Sequence, residues 1–118
     1  MNPLSPPIGA DAVVHSISVE SAVRALRRSS KPEAAAILRR LDYLQQRLLL
    51  DCQDGDVIPC PLPRKAKRLE ERHGRPGNLY CCDLPGFWRL LYTIARFEGR
   101  RYVVVLEVVP HAKHDEWF

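Results

Sequence analysis

Long apolar runs are missing from this 118-residue chain. None approaches the about 18 residues needed to cross a bilayer, so neither a membrane span nor a membrane partner is expected. The start, Met1-Asn-Pro-Leu-Ser-Pro-Pro-Ile-Gly9, lacks a basic region followed by an apolar one. That excludes a secretory signal and makes the cytoplasm the expected location. No C-x-x-C spacing occurs among Cys52, Cys60, Cys81 and Cys82. A zinc site, for which Cys52, Cys60 and His73 are the nearest approach, is therefore not expected. Cys81 and Cys82 are neighbours in a strand-like stretch, so they point to opposite faces and do not share an ion. In a reducing compartment all four read as free thiols. There is no Gly-rich phosphate loop, no G-x-S-x-G and no cysteine with a local histidine signature, so no cofactor is expected. Internal repeats and domain-separating linkers are also absent.

What is present suits one globular domain with one core: 46% of residues are apolar. A domain over residues 12–118 is expected, preceded by a mobile Pro-rich stretch over residues 1–11. The net charge of +4 permits an anionic partner without demanding one.

The stretch Asn78–Val109 organises the rest. Pro85-Gly86 and Glu98-Gly99 punctuate three apolar, β-prone runs. They predict an antiparallel meander over Asn78–Leu84, Phe87–Arg96 and Tyr102–Val109. A three-residue loop, Phe97-Glu98-Gly99, with Gly99 at positive φ sets a register. Arg96 then faces Arg100 directly and Arg101 only diagonally, and Arg89 lies opposite Glu107. Trp88, Leu90, Tyr92 and Ile94 share a core face with Tyr102, Val104, Leu106 and Val108. The other face carries Arg89, Thr93, Val103, Val105 and Glu107.

Upstream, Ala12–Ile17 reads as a short strand. Ser18 offers an N-cap to a helix whose Val19, Ala22, Val23 and Leu26 fall on one side. Pro32 fits the first turn of a second helix reaching about Leu50. Its Ile37, Leu38, Leu41, Leu44 and Leu48 form a core stripe, with Arg39, Arg40, Asp42, Gln46 and Arg47 outside. The fold class is thus α+β: an N-terminal strand, an αα-hairpin, then a three-stranded antiparallel meander with helices packed on one face. Between hairpin and meander, Asp54-Gly55-Asp56 is a turn, and the prolines of Val57–Pro63 exclude a central strand or a helix. A short helix from Lys65 to His73 ends at Gly74.

Three groups of residues could carry chemistry. Arg64, Lys65, Lys67, Arg68, Arg72 and Arg75 are six of the 18 basic residues. They suit contact with nucleic-acid phosphates, or equally a solvated loop beside Glu70 and Glu71. Arg89 sits in an apolar strand where an unpaired charge is costly. It is either a cross-strand partner of Glu107 or a rigid brace for a phosphate, and the two are compatible. His111 and His114, with Lys113 and Asp115, follow the last strand and suit proton transfer near neutral pH. The plain alternative is a polar surface tail.

The order of elements, with Asn78-Leu-Tyr…Asp83-Leu-Pro-Gly-Phe-Trp-Arg-Leu-Leu-Tyr-Thr-Ile94 and the ending Val105-Leu-Glu-Val-Val-Pro-His-Ala-Lys-His-Asp-Glu-Trp-Phe118, resembles the RelE/ParE toxin superfamily of toxin–antitoxin modules. The resemblance covers most of the chain after Ala12 and is most specific over Asn78–Phe118. It implies a toxin neutralised by a cognate antitoxin protein. In the RelE branch the toxin is a metal-independent endoribonuclease that cuts mRNA on the ribosome. In the ParE branch it inhibits DNA gyrase, and a degenerate binding protein is the third reading. On the nuclease reading Arg89 matches the meander arginine that stabilises the transition state. Lys65, Lys67 and Arg68 lie where the family often carries basic active-site residues. His111, His114 and Lys65 join Arg89 as catalytic candidates, and Arg64, Lys67, Arg68, Arg72, Lys113 and Phe118 are the RNA-binding candidates. Phe118 stands where ribonuclease members end in a stacking tyrosine. His114 replaces the subgroup's tail tyrosine, and the usual tail arginine is absent.

Overall fold

Ser16, not Ser18, starts the first helix. Its Oγ accepts from the Val19 N–H at 3.2 Å and donates to the Leu106 carbonyl at 2.7 Å, so one side chain caps the helix and ties it to the sheet. In the computed structural model, which describes residues 6–118, this cap separates β1 (Ala12–His15) from α1 (Ile17–Arg28). Then follow α2 (Pro32–Leu50), β2 (Asp56–Val57), a 3-10 turn (Arg64–Ala66), α3 (Lys67–His73), β3 (Tyr80–Leu84), β4 (Trp88–Phe97), β5 (Arg100–Pro110) and α4 (His111–Trp117). The fold is α+β, with a mixed sheet of strand order β1-β5-β4-β3-β2 in which β1–β5 is parallel and the other pairs are antiparallel.

The α2 stripe is buried as its spacing requires: Ile37, Leu41, Leu44 and Leu48 face inward and Arg39, Arg40, Asp42, Gln46 and Arg47 outward. With Val19, Val23 and Leu26 of α1 they cover Leu90, Tyr92, Val103, Val105 and Val108. Cys82, Trp88 and Ile94 pack at the margin of the same cluster.

The expected strand register is corrected at two points. The β4–β5 turn has two central residues, Glu98 and Gly99, both at positive φ (50° and 76°), between the pair Phe97 and Arg100. Two left-handed residues fit the twist of a tight hairpin. Arg96 therefore faces Arg101, and Val103 and Val105, not Val104, turn toward α1 and α2. A β-bulge then makes Leu106 the extra residue, since Tyr92 pairs with Val105 but Leu91 with Glu107. The bulge restores the inward direction of Val108. It leaves Arg89 opposite Val109 and not opposite Glu107.

Helices cover both faces, whereas one covered face is expected from the meander alone. Leu79, Cys81, Leu91 and Leu106 form a second buried cluster with Ala66, Leu69 of α3 and Trp117 of α4. The polar tail is thus a docked helix. Within this layer Glu107 is almost fully buried, its carboxylate held by Arg72 and by His73 Nε2 at 3.3 Å. Those contacts pin α3 to the sheet.

The expected mobile stretch over residues 1–11 also divides. Residues 1–5 lie outside the described residues. From Ile8 the chain is bonded: the Cys52 N–H donates to the Ile8 carbonyl at 2.8 Å, and the Ala10 N–H to Leu49 at 2.9 Å. Cys52 is in turn held by Tyr92, whose hydroxyl donates to the Cys52 carbonyl at 2.7 Å and accepts from the Gly55 N–H at 3.0 Å. The Tyr92 ring is fully buried and stacks on Tyr80 at 5.1 Å. Removing this hydroxyl leaves the buried Cys52 carbonyl and the half-buried Gly55 N–H without this partner. Tyr92→Phe is therefore expected to cost about 1–3 kcal/mol, read from urea unfolding, with the fold retained.

Candidate functional site

The face of the sheet that carries α3 and α4 gathers most of the chemistry-bearing side chains. Alternation along β3 and β4 directs Cys81, Asp83, Arg89 and Leu91 to this face. Asp83 and Arg89 are directly opposite in the ladder and form an ion pair. Arg89 is 27% exposed and Asp83 74%, so the arginine is half-sunk and its partner lies in solvent. The expected Arg89–Glu107 pair is absent because register and bulge separate the two.

The short β3–β4 turn, Pro85 to Phe87, holds the start of α4. The His111 N–H donates to the Phe87 carbonyl at 2.6 Å. Trp117 is the buried apolar residue that seats the helix on the second cluster. Docking sets the two histidine rings side by side, 6.1 Å apart and nearly parallel. His111 Nδ1 is 3.2 Å from Asp115 Oδ2. His114 lies deeper, with Nε2 3.8 Å from the Cys81 sulfur and its ring against Phe118 at 4.9 Å. Lys65, from the 3-10 turn, donates to the Asp115 carbonyl at 3.4 Å. Lys65 and both histidines therefore meet at α4, and Arg89 lies close enough for its charge to act on His114.

Electrostatics follow from this packing. Burial disfavours a charged His114 ring, and the Arg89 cation adds to that, against the opposing pull of Asp115; the His114 pKa lies below its ordinary 6.5. Burial raises the Cys81 thiol, with Arg89 pulling the other way. The Cys82 thiol, on the hairpin side, is pushed up to about 12 by burial. The Cys81–His114 contact is thus between a thiol and a neutral imidazole, not an ion pair.

The RNA-binding candidates separate into exposed and engaged residues. Arg64, Lys67 and Arg68 are exposed, Lys67 lying 3.9 Å from Glu71. Arg72 is held by buried Glu107, which makes it a structural cation first. Lys113 lies 3.0 Å from Glu116 and over the Trp117 ring. Phe118 is half-buried against His114, so its ring is already stacked. An open groove of about 1010 Å³ runs between the Pro-rich loop and α3, lined in part by Arg64, Lys67 and Arg75. Among the described residues, no three His, Cys, Asp or Glu side chains are grouped to hold a metal ion.

Sequence reasoning overlooked Cys81 and Asp83 as members of this site, and placed Asp115 beside the histidines without pairing it to His111. The i, i+4 spacing of His111 and Asp115 was the available signal, had the tail been read as a helix. Comparison of the chain with protein-family models, with curated proteins and with solved structures finds no match.

The depressed His114 pKa has a stability consequence. Between that value and about 6.5 the unfolded chain binds more protons than the folded one, so stability rises with pH across this window and falls on acidification. His114→Gln removes that titration. Its urea midpoint is expected to fall less than the parent's between about pH 7 and about pH 5.

Proposed function

We propose that this chain is a toxin of the RelE/ParE kind, acting as a metal-independent endoribonuclease on ribosome-bound mRNA and neutralised by a cognate antitoxin. The observation that supports the reading is the grouping of Arg89 with the α4 histidines on one face of the sheet. A base there takes the proton of a ribose 2′-hydroxyl, and the 2′-oxygen attacks the adjacent phosphorus. An acid protonates the departing 5′-oxygen. Arg89 meets the charge that grows on the phosphate oxygens, and exposed Lys65, Arg64, Lys67 and Arg68 hold the flanking backbone.

The two ion-paired arginines suit different tasks. Arg72 is bound to a carboxylate with almost no exposure. Arg89 is bound to one that is mostly solvated, and such a pair is worth only about 0–1 kcal/mol. A phosphate can therefore take the place of Asp83 on Arg89 at little cost.

The test is tightly controlled expression with mapping of mRNA 5′ ends on ribosomes. Codon-phased cuts are expected, and Arg89→Ala should reduce their rate by roughly 10²–10³-fold while the protein stays folded. Toxicity with intact mRNA and inhibited gyrase would favour the ParE-like reading. Absence of any growth effect would favour a toxin-fold protein that only binds.

A further inference from the structure

His111 and His114 differ in the features that decide acid–base work. His111 is 40% exposed, and its Nδ1 lies 3.2 Å from Asp115 Oδ2, one helical turn away. His114 is 15% exposed. Its Nε2 meets the Cys81 sulfur, and its buried Nδ1 has no hydrogen-bond partner among the described residues and lies 3.8 Å from Asp115 Oδ1.

These contacts favour particular proton positions. The Cys81 thiol, kept protonated by burial, has two acceptors in reach, His114 Nε2 at 3.8 Å and the Cys82 carbonyl at 4.0 Å, and donation to the nearer requires a lone pair on Nε2. His114 then holds its proton on Nδ1, and its lone pair is occupied by Cys81. An ionised carboxylate only accepts, so for His111 to donate to Asp115, 3.2 Å away, its proton must sit on Nδ1. Its lone pair then lies on Nε2, on the more exposed of the two rings. The groups around the pair are Arg89 from β4, Cys81 from β3 and Lys65 from the 3-10 turn, which holds Asp115 through its carbonyl.

We propose that His111 and Asp115 form the proton-transfer pair of this face, with Nε2 of His111 as the working atom and Asp115 as its positioning residue. His114, tied to Cys81, is the fixed wall against which the pair is set. The substrate of the pair, an RNA 2′-hydroxyl or 5′-oxygen, rests on the nuclease reading. The proton positions do not.

Nitrogen-15 NMR of the full chain, at a pH where both rings are neutral, reads the tautomers directly. His111 is expected as the Nδ1–H form. In Asp115→Ala that signal is lost in favour of the Nε2–H form that an isolated imidazole prefers. Asp115→Asn keeps an accepting oxygen and should restore it. Cys81→Ala should change the tautomer of His114 and leave that of His111 alone. An His111 tautomer indifferent to Asp115→Ala overturns the proposal, as does an His114 tautomer indifferent to Cys81→Ala. Uncut mRNA alongside the expected tautomers supports the pair and overturns the nuclease reading. Cleavage with an indifferent His111 tautomer does the reverse.

Discussion

The bulge at Leu106 in β5 is the constraint on which the rest depends. A regular strand would send Leu106 and Glu107 to opposite faces; the extra residue lets both sit on the α3–α4 side. Val103, Val105 and Val108 can then all face the α1–α2 hairpin. The sheet thereby acquires two apolar faces, and each needs a cover. The hairpin covers one with long stripes. Short α3 and α4 cover the other, largely through Leu69 and Trp117. Helices of seven residues do not persist alone in water, so both depend on that docking.

Two carboxylates then divide the arginines of this face. Glu107 is sealed in and holds Arg72 and His73. Removing Arg72 would leave the buried carboxylate with His73 as its remaining partner, and an under-paired buried charge is costly. Asp83 stands in solvent and holds Arg89 loosely. Burial of the carboxylate, more than the identity of the cation, separates an arginine that builds the fold from one free to meet a ligand. The same contrast separates the histidines: His114 is drawn into the packing with Cys81, and His111 stays at the rim with Asp115.

Much of the scaffold was legible in the sequence because it rests on repetition. The α2 stripe, the Pro32 start and the apolar runs of β4 and β5 repeat a pattern over many residues. Single-residue events were not legible. A two-residue turn in place of a three-residue loop flipped one strand face, and one bulged residue flipped it back beyond Leu106. Arg89 stood out as a lone charge in an apolar strand, but its partner depended on that register. Hence Asp83 was missed and Glu107 expected. The tail hid its helix because His111-Ala-Lys-His-Asp-Glu-Trp117 has no side-chain N-cap and one buried apolar anchor. Cys81 read only as a free thiol in a strand, and its contact with His114 depended on the docking of the tail.

The central claim is that α4 docks on the second face of the sheet and brings its histidines to Arg89. The nuclear Overhauser effect between the His114 ring protons and the β-protons of Cys81 tests it most directly. The account predicts a strong cross-peak, with α4 amides protected from hydrogen exchange by their docked helix. A missing cross-peak, with those amides exchanging at the rate of an unfolded tail, would contradict it.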